Sequence, residues 1–258
     1  MIKFVIQANL SDSASTKLAE ACAANGNPVQ MISGAAEISK VNVTDPSVFY
    51  GSVDMLLAVK DLVNGKEAIL SPSFNCEVWT KMWTDLCLNC SGISTTLDYF
   101  TAAMTVKEKQ GKEKYFIRPC ADTKSFTGSV MESGAIADWA FSLALFDPEL
   151  LRSRIVVSKP RPISQEWRLF MINKSVSTGS CYQKDGVSDQ STDIPEGVIK
   201  FAEAVADIWT PAPIFTLDIA LCSEKLYVVE CGCFNYSGFY GADLVKLVKD
   251  INGYFEGK

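Results

Sequence analysis

Two apolar segments separated by a short polar turn constrain the fold of this 258-residue chain most strongly. Residues 215–221 read FTLDIAL and residues 226–230 read LYVVE, with CSEK (222–225) between them. Both segments contain the β-branched and aromatic residues typical of strands, and so short a turn joins antiparallel neighbours. The pattern predicts a β-hairpin in which Asp218 falls roughly opposite Glu230.

The two carboxylates of this predicted hairpin need cationic partners. A buried carboxylate is costly unless it is paired, and like charges directly opposite each other in a sheet are destabilising. Together with the amide oxygen of Asn235, five residues after Glu230, they would form the hard-oxygen site that suits Mg²⁺. Alternatively, Asp218 and Glu230 are structural acids, each paired with a lysine or an arginine. The hairpin alone leaves both interpretations open.

Composition excludes several classes of function. The net charge of −6 and the isoelectric point of about 4.9 argue against a dominant nucleic-acid-binding or membrane-binding surface. The chain contains no histidine, so it has no Ser-His or Cys-His nucleophile pair and no His-ligated metal. Any acid–base or metal chemistry must therefore use carboxylates, Lys, Arg, Tyr, Cys or amides.

Nine cysteines do not indicate a disulfide framework here. The number is odd, and the N-terminal MIKFVIQANL reads as a strand rather than as a signal peptide. No apolar run approaches the ~20 residues of a membrane span. We therefore expect a cytoplasmic protein whose thiols are mostly small buried hydrophobes. Cys87-x-x-Cys90 and Cys231-x-Cys233 leave a four-thiolate zinc site open, although neither pair lies in a Gly-rich knuckle.

The first part of the chain alternates strand and helix patterns, which predicts a small α/β domain. The predicted strands are 2–8, 29–32 and 47–50, with a helix over 14–24. Residues 71–90 predict a further helix, whose buried face would carry Phe74, Val78, Met82 and Leu86 at every fourth position. The pattern changes after Gly92, so we predict two domains, 1–92 and 93–258.

Cationic residues precede the hairpin. Arg118 ends the strand YFIRP and is followed by a polar loop, 120–128, that contains Lys124. A strand-borne cation beside a Gly-containing loop with a second cation suits a triphosphate clamp. Glu166 and Arg168 lie two residues apart on a predicted strand and therefore share one face. That face carries either an ion pair or a phosphate contact.

In chain order, these pieces resemble the ATP-grasp superfamily, and within it the arginine-for-lysine clade, a bacterial and phage clade in which arginine replaces the first nucleotide-binding lysine. The resemblance rests on Arg118-Pro119 and its loop, a hinge strand through Lys159-Pro160, Glu166-x-Arg168 and the carboxylate hairpin. It implies an α+β or α/β ATP-grasp fold, with two α+β subdomains clasping ATP after a small α/β N-terminal domain. The superfamily's Glu-x-Asn would place Asn at 232, but this chain has Gly232, so Asn235 is taken as the substitute.

The resemblance further implies an ATP- and Mg²⁺-dependent carboxylate–amine ligase of the peptide type, acting through an acylphosphate. Its implied nucleotide-binding residues are Arg118, Lys124, Val157, Ser158, Lys159, Glu166 and Arg168, of which Lys124 and Arg168 are also implied to be catalytic. Its implied metal ligands are Asp218, Glu230 and Asn235. An ATP-binding assembly factor without ligation and a nucleotide-independent binding module remain alternatives. The carboxylate and amine, whether small molecule, peptide or protein, are not identified by the sequence.

Overall fold

A computed structural model of the chain describes residues 1–8, 10, 13–42, 47–59, 72–107, 111–123 and 125–257. The chain forms two compact units, one of residues 1–74 with 163–258 and one of residues 75–162. It leaves the first unit after Phe74 and returns to it at Ile163. The boundaries of these units differ from those of the predicted domains, 1–92 and 93–258. That division into domains stays a prediction.

The first unit begins with a three-stranded parallel sheet. Strand β1 (Lys3–Gln7) lies between β2 (Val29–Ile32) and β3 (Ser47–Tyr50). Helix α1 (Ala14–Ala24) provides the crossover that a parallel pair of strands requires, and α2 (Val53–Val59) follows β3. The sequence prediction of a small α/β arrangement at the N-terminus is confirmed.

The second half of the same unit contains a five-stranded antiparallel sheet in the order β10-β9-β8-β11-β12. Its strands are β8 (Gln165–Ile172), β9 (Ser175–Lys184), β10 (Val187–Ser188), β11 (Ile214–Cys222) and β12 (Lys225–Gly232). Helix α6 (Glu196–Ile208) lies between β10 and β11 in the chain, and α7 (Leu244–Glu256) is the last element. The predicted hairpin is confirmed as β11 and β12, joined through Ser223 and Glu224, both with positive φ.

One hydrophobic core joins the two parts of this unit. It includes Phe4 of β1, Leu18 of α1, Phe170 of β8 and Leu247 of α7. The buried amides of Asn27 and Asn252 also exchange hydrogen bonds of 2.6 and 2.8 Å. Because the N-terminal strands share a core and buried polar contacts with residues after 163, they belong to one compact unit.

The second unit is built on a four-stranded antiparallel sheet in the order β4-β7-β5-β6. Its strands are β4 (Ile93–Thr96), β5 (Lys114–Pro119), β6 (Ser129–Glu132) and β7 (Arg154–Ser158), and its helices are α3 (Cys76–Trp83), α4 (Leu97–Lys107) and α5 (Ile136–Phe146). Ile117 of β5 and Ile155 of β7 pack with Phe100, Phe126 and Ile136 in its core.

The predicted buried face of the helix in 71–90 is wrong at Val78 and Met82, whereas Phe74 is buried as predicted. Helix α3 covers only Cys76–Trp83, because the side chain of Asn75 caps its first turn and Thr84 leaves the helical conformation. Trp79 and Trp83 are buried, whereas Val78 and Met82 are 38% and 44% exposed. The two indole rings carry far more apolar surface than Val and Met, so they determine which side faces the core.

Candidate active site

Asp218 lies in the middle of the five-stranded sheet, between two charged neighbours. On one side it is opposite Arg168 of β8, and on the other it is opposite Glu230 of β12. The register of β11 and β12 shifts immediately after this pair, between Asp218 and Ile219. The predicted placement of Asp218 opposite Glu230 is confirmed.

Arg168 and Asp218 form a buried ion pair. The Nε and Nη2 groups of Arg168 donate to Oδ1 and Oδ2 of Asp218 at 2.9 and 2.7 Å. The two residues are only 7% and 3% exposed. Burial works to lower the pKa of Arg168, but the charge and hydrogen bonds of Asp218 raise it above its ordinary value. Arg168 is therefore a permanent cation in a water-poor part of the sheet.

Two tyrosine rings cover the guanidinium of Arg168. Its carbon lies 5.9 Å from the ring centre of Tyr182 and 5.2 Å from that of Tyr240. The rings stack on each other with centres 5.0 Å apart and planes 16° apart. Tyr240 has a φ of 50°, which is uncommon for a residue with a side chain. The carbonyl of Gly238 accepts from Nη1 at 3.5 Å, so the same loop also contacts the third nitrogen of the guanidinium.

Glu166 lies on the same face of β8 as Arg168 and accepts a short hydrogen bond from the hydroxyl of Tyr182. Burial raises the pKa of Glu166, and the negative charges of Asp218 and Glu230 raise it further, against the opposing effects of Tyr182 and Arg168. Burial, together with the charges of Asp218 and Glu166, also raises the pKa of Tyr182 well above its ordinary value. Three carboxylates thus interact electrostatically on one face of this sheet.

Asn235 is fully buried in the turn after β12. Its Oδ1 accepts from the thiol of Cys233 at 2.7 Å, and its Nδ2 donates a short hydrogen bond to the carbonyl of Phe49. Its own carbonyl accepts from the N–H of Gly51 at 2.9 Å. These contacts join the turn to β3 and give Asn235 a structural role. Its assignment as a metal ligand stays a prediction.

The carboxylates of this face fit a divalent cation by their chemistry. Asp218 and Glu230 are opposite one another, and their negative charges add to the effect of burial in raising the pKa of Glu166. No three His, Cys, Asp or Glu side chains in the described ranges form a metal-holding group on their own, the four-thiolate zinc alternative included. Mg²⁺ commonly takes only one or two protein carboxylates and completes its shell with phosphate and water.

The second unit carries the other predicted nucleotide-binding residues. Arg118 of β5 is opposite Val156 of β7, and its guanidinium lies 5.5 Å from the ring centre of Trp79. A Cβ on Gly128 would approach the Cβ of Arg118 to 3.1 Å, so the absence of a side chain lets the end of the loop lie against β5. Lys124 lies outside the described residues.

The predicted adenine-binding segment is at the end of β7. Val157 is paired with Ile117 of β5 and with Ile93 of β4. The hydroxyl of Ser158 donates to Oδ1 of Asn89 at 3.0 Å. The side chain of Lys159 is 83% exposed and lies 3.6 Å from a carboxylate oxygen of Glu113. This segment therefore places one buried, one half-buried and one exposed side chain in succession.

The sequence analysis did not identify Tyr182 and Tyr240 as site residues. A register shift between β8 and β9, at Glu166 and Trp167, allows Tyr182 to reach Glu166. Simple alternation along the strand does not reveal such a shift. Tyr240 did have a signal, because it is an aromatic residue between Gly238 and Gly241 in the segment that follows Glu230.

Residues 57–251 match the family model for the ATP-grasp domain of family 3 of the arginine-for-lysine clade. The chain belongs to this ATP-grasp family. The match covers most of the chain, including the strands that carry Arg118, Arg168, Asp218 and Glu230. No curated protein sequence is similar to the chain.

Solved structures share the ATP-grasp fold at low sequence identity. D-cycloserine synthetase DcsG is 12% identical with a TM-score of 0.68, and the similarity covers 98% of this chain and 99% of that one. D-alanine–D-alanine ligase from Bacillus anthracis is 12% identical with a TM-score of 0.64, over 99% and 96% of the two chains. The ATP-grasp ligase PsnB, complexed with a minimal precursor, is 11% identical with a TM-score of 0.60, over 98% of each chain. No helix within the described part of the chain could span a membrane.

Proposed function

We propose that this ATP-grasp protein is an ATP- and Mg²⁺-dependent carboxylate–amine ligase that acts through an acylphosphate. Family membership supports ATP-dependent ligation in general. The similar structures are named as a D-cycloserine synthetase, a D-alanine–D-alanine ligase and a ligase bound to a precursor peptide. Amino acids and peptides are therefore the first substrate classes to test.

The observation that carries this proposal is the way in which Arg168 is held. A guanidinium has five N–H donors. Asp218 accepts from Nε and Nη2, and Gly238 accepts from Nη1. Within the described residues, these contacts leave one N–H of Nη1 and one N–H of Nη2 able to bind an acceptor group on a substrate. A planar cation with two parallel donors suits a carboxylate, a phosphate or an acylphosphate.

Arg168 is held in a fixed orientation, which would favour catalysis. The ion pair with Asp218 fixes the plane of the guanidinium, and the rings of Tyr182 and Tyr240 cover it. Donors that are already oriented before the reaction stabilise developing negative charge without a reorganisation cost. Arg168 would thus bind the substrate carboxylate and then stabilise the negative charge of the acylphosphate.

The charges around Asp218 support a role for Mg²⁺. Asp218 and Glu230 would hold the ion, and Asn235 is proposed as a third, neutral ligand from the family resemblance. When bound, Mg²⁺ would neutralise phosphate charge during phosphoryl transfer. Arg118 and Lys124 would contact the phosphates, and residues 157–159 with Glu166 would contact the rest of the nucleotide.

In the proposed reaction, the carboxylate oxygen of one substrate attacks the γ-phosphorus of ATP and releases ADP. The amine of the second substrate then attacks the acyl carbon of the acylphosphate and releases inorganic phosphate. Both steps depend mainly on positioning and charge neutralisation, which a site without histidine can supply from arginine and lysine. The absence of histidine from the chain is thus compatible with this chemistry.

The test is ADP release with Mg²⁺ and ATP in the presence of pools of amino acids, peptides and polyamines. We expect one or more pools to accelerate ADP release, and Arg168→Lys to lose most of that acceleration. Arg152→Lys is the matched control, because Arg152 forms an exposed pair with Glu149. ATP binding without stimulated ADP release in any pool would favour an assembly factor, and no ATP binding would favour a nucleotide-independent module.

A further inference from the structure

Two buried cysteines meet in the second compact unit, whereas the carboxylate face, which carries Glu166, Asp218 and Glu230, belongs to the first. Cys76 is the first residue of α3, and Cys120 immediately follows β5. The N–H of Cys76 donates to the carbonyl of Cys120 at 2.8 Å, and each thiol is the largest influence on the pKa of the other. Each residue is only 1% exposed. The ligase reaction described above does not use either thiol.

We propose that Cys76 and Cys120 are a redox-active dithiol that forms a reversible intramolecular disulfide. The main-chain hydrogen bond keeps the two backbones adjacent, and the mutual effect of the two thiols on their pKa values shows that the side chains lie on the same side. Bond formation therefore requires little movement of either element.

The two thiols have different electronic environments, which assigns their roles. The hydrogen bond with Cys76 lowers the pKa of Cys120, against the effect of burial. The same hydrogen bond, followed by burial, raises the pKa of Cys76. Cys120 is also adjacent in the chain to the exposed Ala121, so Cys120 attacks first and Cys76 resolves.

The oxidant is a low-molecular-weight disulfide, for which oxidised glutathione is the probe. The Cys120 thiolate attacks one glutathione sulfur, forms a mixed disulfide and releases one glutathione thiolate. Cys76 then loses its proton, attacks the sulfur of Cys120 and releases the second glutathione thiolate. Two protein thiols are oxidised to one disulfide, and one glutathione disulfide is reduced to two thiols.

Cys120 is next to an exposed position, which gives the oxidant a route. Ala121 is exposed and begins the loop that follows β5. Opening of this strand end alone would expose the sulfur of Cys120. The disulfide would fasten the start of α3 to the end of β5, close to the contact between Trp79 and Arg118. Oxidation should therefore reduce local opening at both of these segments.

The experiment equilibrates the full-length protein with an excess of oxidised over reduced glutathione and maps thiols by peptide mass spectrometry. We expect most molecules to carry a peptide pair linked through Cys76 and Cys120, and dithiothreitol to restore both thiols. Amide hydrogen exchange around 74–80 and 118–123 should slow at least threefold on oxidation. The readout requires neither ATP nor a ligase substrate, so it is independent of the proposed function.

Matched variants separate this pair from other thiols. Cys76→Ser and Cys120→Ser should each abolish the linked peptides and the slower exchange, whereas Cys90→Ser, at an exposed thiol of the same unit, should retain both. A disulfide confined to Cys87 and Cys90 would overturn the proposal. So would glutathione attached to Cys120 without loss of the Cys76 thiol, or two free thiols at equilibrium.

Discussion

Asp218 accepts both of its side-chain hydrogen bonds of 2.9 and 2.7 Å from Arg168, which lies opposite it on the neighbouring strand. The residue predicted as a metal ligand is therefore also the residue that fixes the predicted catalytic arginine. The two roles are compatible, because each carboxylate oxygen has more than one lone pair. Substitutions of Asp218 should affect folding as well as chemistry.

Asp218→Ala is expected to reduce the free energy of unfolding by about 3–5 kcal/mol, since it leaves the charge of Arg168 buried without its partner. Denaturant titration without nucleotide or Mg²⁺ measures this change. Asp207→Ala is the control, because Asp207 forms an exposed ion pair with Lys174 and should cost about 0.5 kcal/mol or less. Equal effects of the two substitutions would show that the buried pair is not structural.

Asn235→Leu is expected to lower stability by about 1–3 kcal/mol, because it removes the buried hydrogen bonds to Phe49 and Cys233. Thermal unfolding in the absence of ATP and Mg²⁺ isolates this structural effect. If the variant instead unfolds at the parent's midpoint and loses only Mg²⁺-dependent ATP binding, Asn235 acts as a metal ligand alone. Asn235→Asp, which keeps an acceptor oxygen, should retain part of any metal-dependent binding.

Arg118→Ala and Lys124→Ala are each expected to weaken ATP binding about tenfold or more and AMP binding much less, because their charges should meet phosphates that AMP lacks. Calorimetric titration with both nucleotides gives the ratio. Arg152→Ala, in the same unit, should leave both affinities unchanged. Equal losses for ATP and AMP would assign the two residues to the base or to folding.

Glu166→Gln is expected to remove a pH-dependent destabilisation. Burial and its acidic neighbours raise the pKa of Glu166 in the folded protein. Above the ordinary value of about 4.3, the unfolded chain loses this proton before the folded protein does, so stability falls as pH rises through that window. As the pH rises above about 4, the unfolding free energy of the parent should therefore fall relative to that of the variant. A difference that is constant with pH would contradict the raised pKa.

Much of the carboxylate face could be predicted because it depends on local rules. The short turn at 223–224 sets a register that brings Asp218 within one residue of Glu230, and a register shift between Asp218 and Ile219 completes the pairing. The strand period of two puts Glu166 and Arg168 on one face. These relationships involve neighbours in sequence or strands joined by one turn. The pairing of Arg168 with Asp218 joins strands that are distant in sequence. The sequence pattern therefore left open whether Asp218 pairs with a basic residue or with a metal ion.

The features that could not be predicted depend on tertiary context. Tyr182 reaches Glu166 because of a register shift between β8 and β9, and Tyr240 reaches Arg168 because its own φ is positive. The buried side of α3 follows Trp79 and Trp83 because packing of large rings outweighed a regular pattern of smaller residues. The grouping of residues 1–74 with 163–258 reflects a shared core that no local pattern encodes.

Glu230→Gln tests the metal assignment without removing the buried pair. The variant keeps the shape of the side chain and leaves Arg168 bonded to Asp218, so it should unfold cooperatively like the parent. We expect it to lose Mg²⁺-dependent ATP turnover, because one of two proposed carboxylate ligands becomes neutral. Turnover at the parent's rate, with the parent's Mg²⁺ dependence, would refute Glu230 as a metal ligand.

The most direct test of the central claim is transfer of oxygen from a substrate carboxylate to phosphate. The protein is incubated with Mg²⁺, ATP and the substrate pool that stimulates ADP release, with ¹⁸O in its carboxylates. A ligase acting through an acylphosphate must release inorganic phosphate that carries one ¹⁸O atom for each amide bond formed, as mass spectrometry of the phosphate and the product will show. Release of ADP with unlabelled phosphate would contradict the account, because it would mean that water, not a carboxylate, attacks ATP.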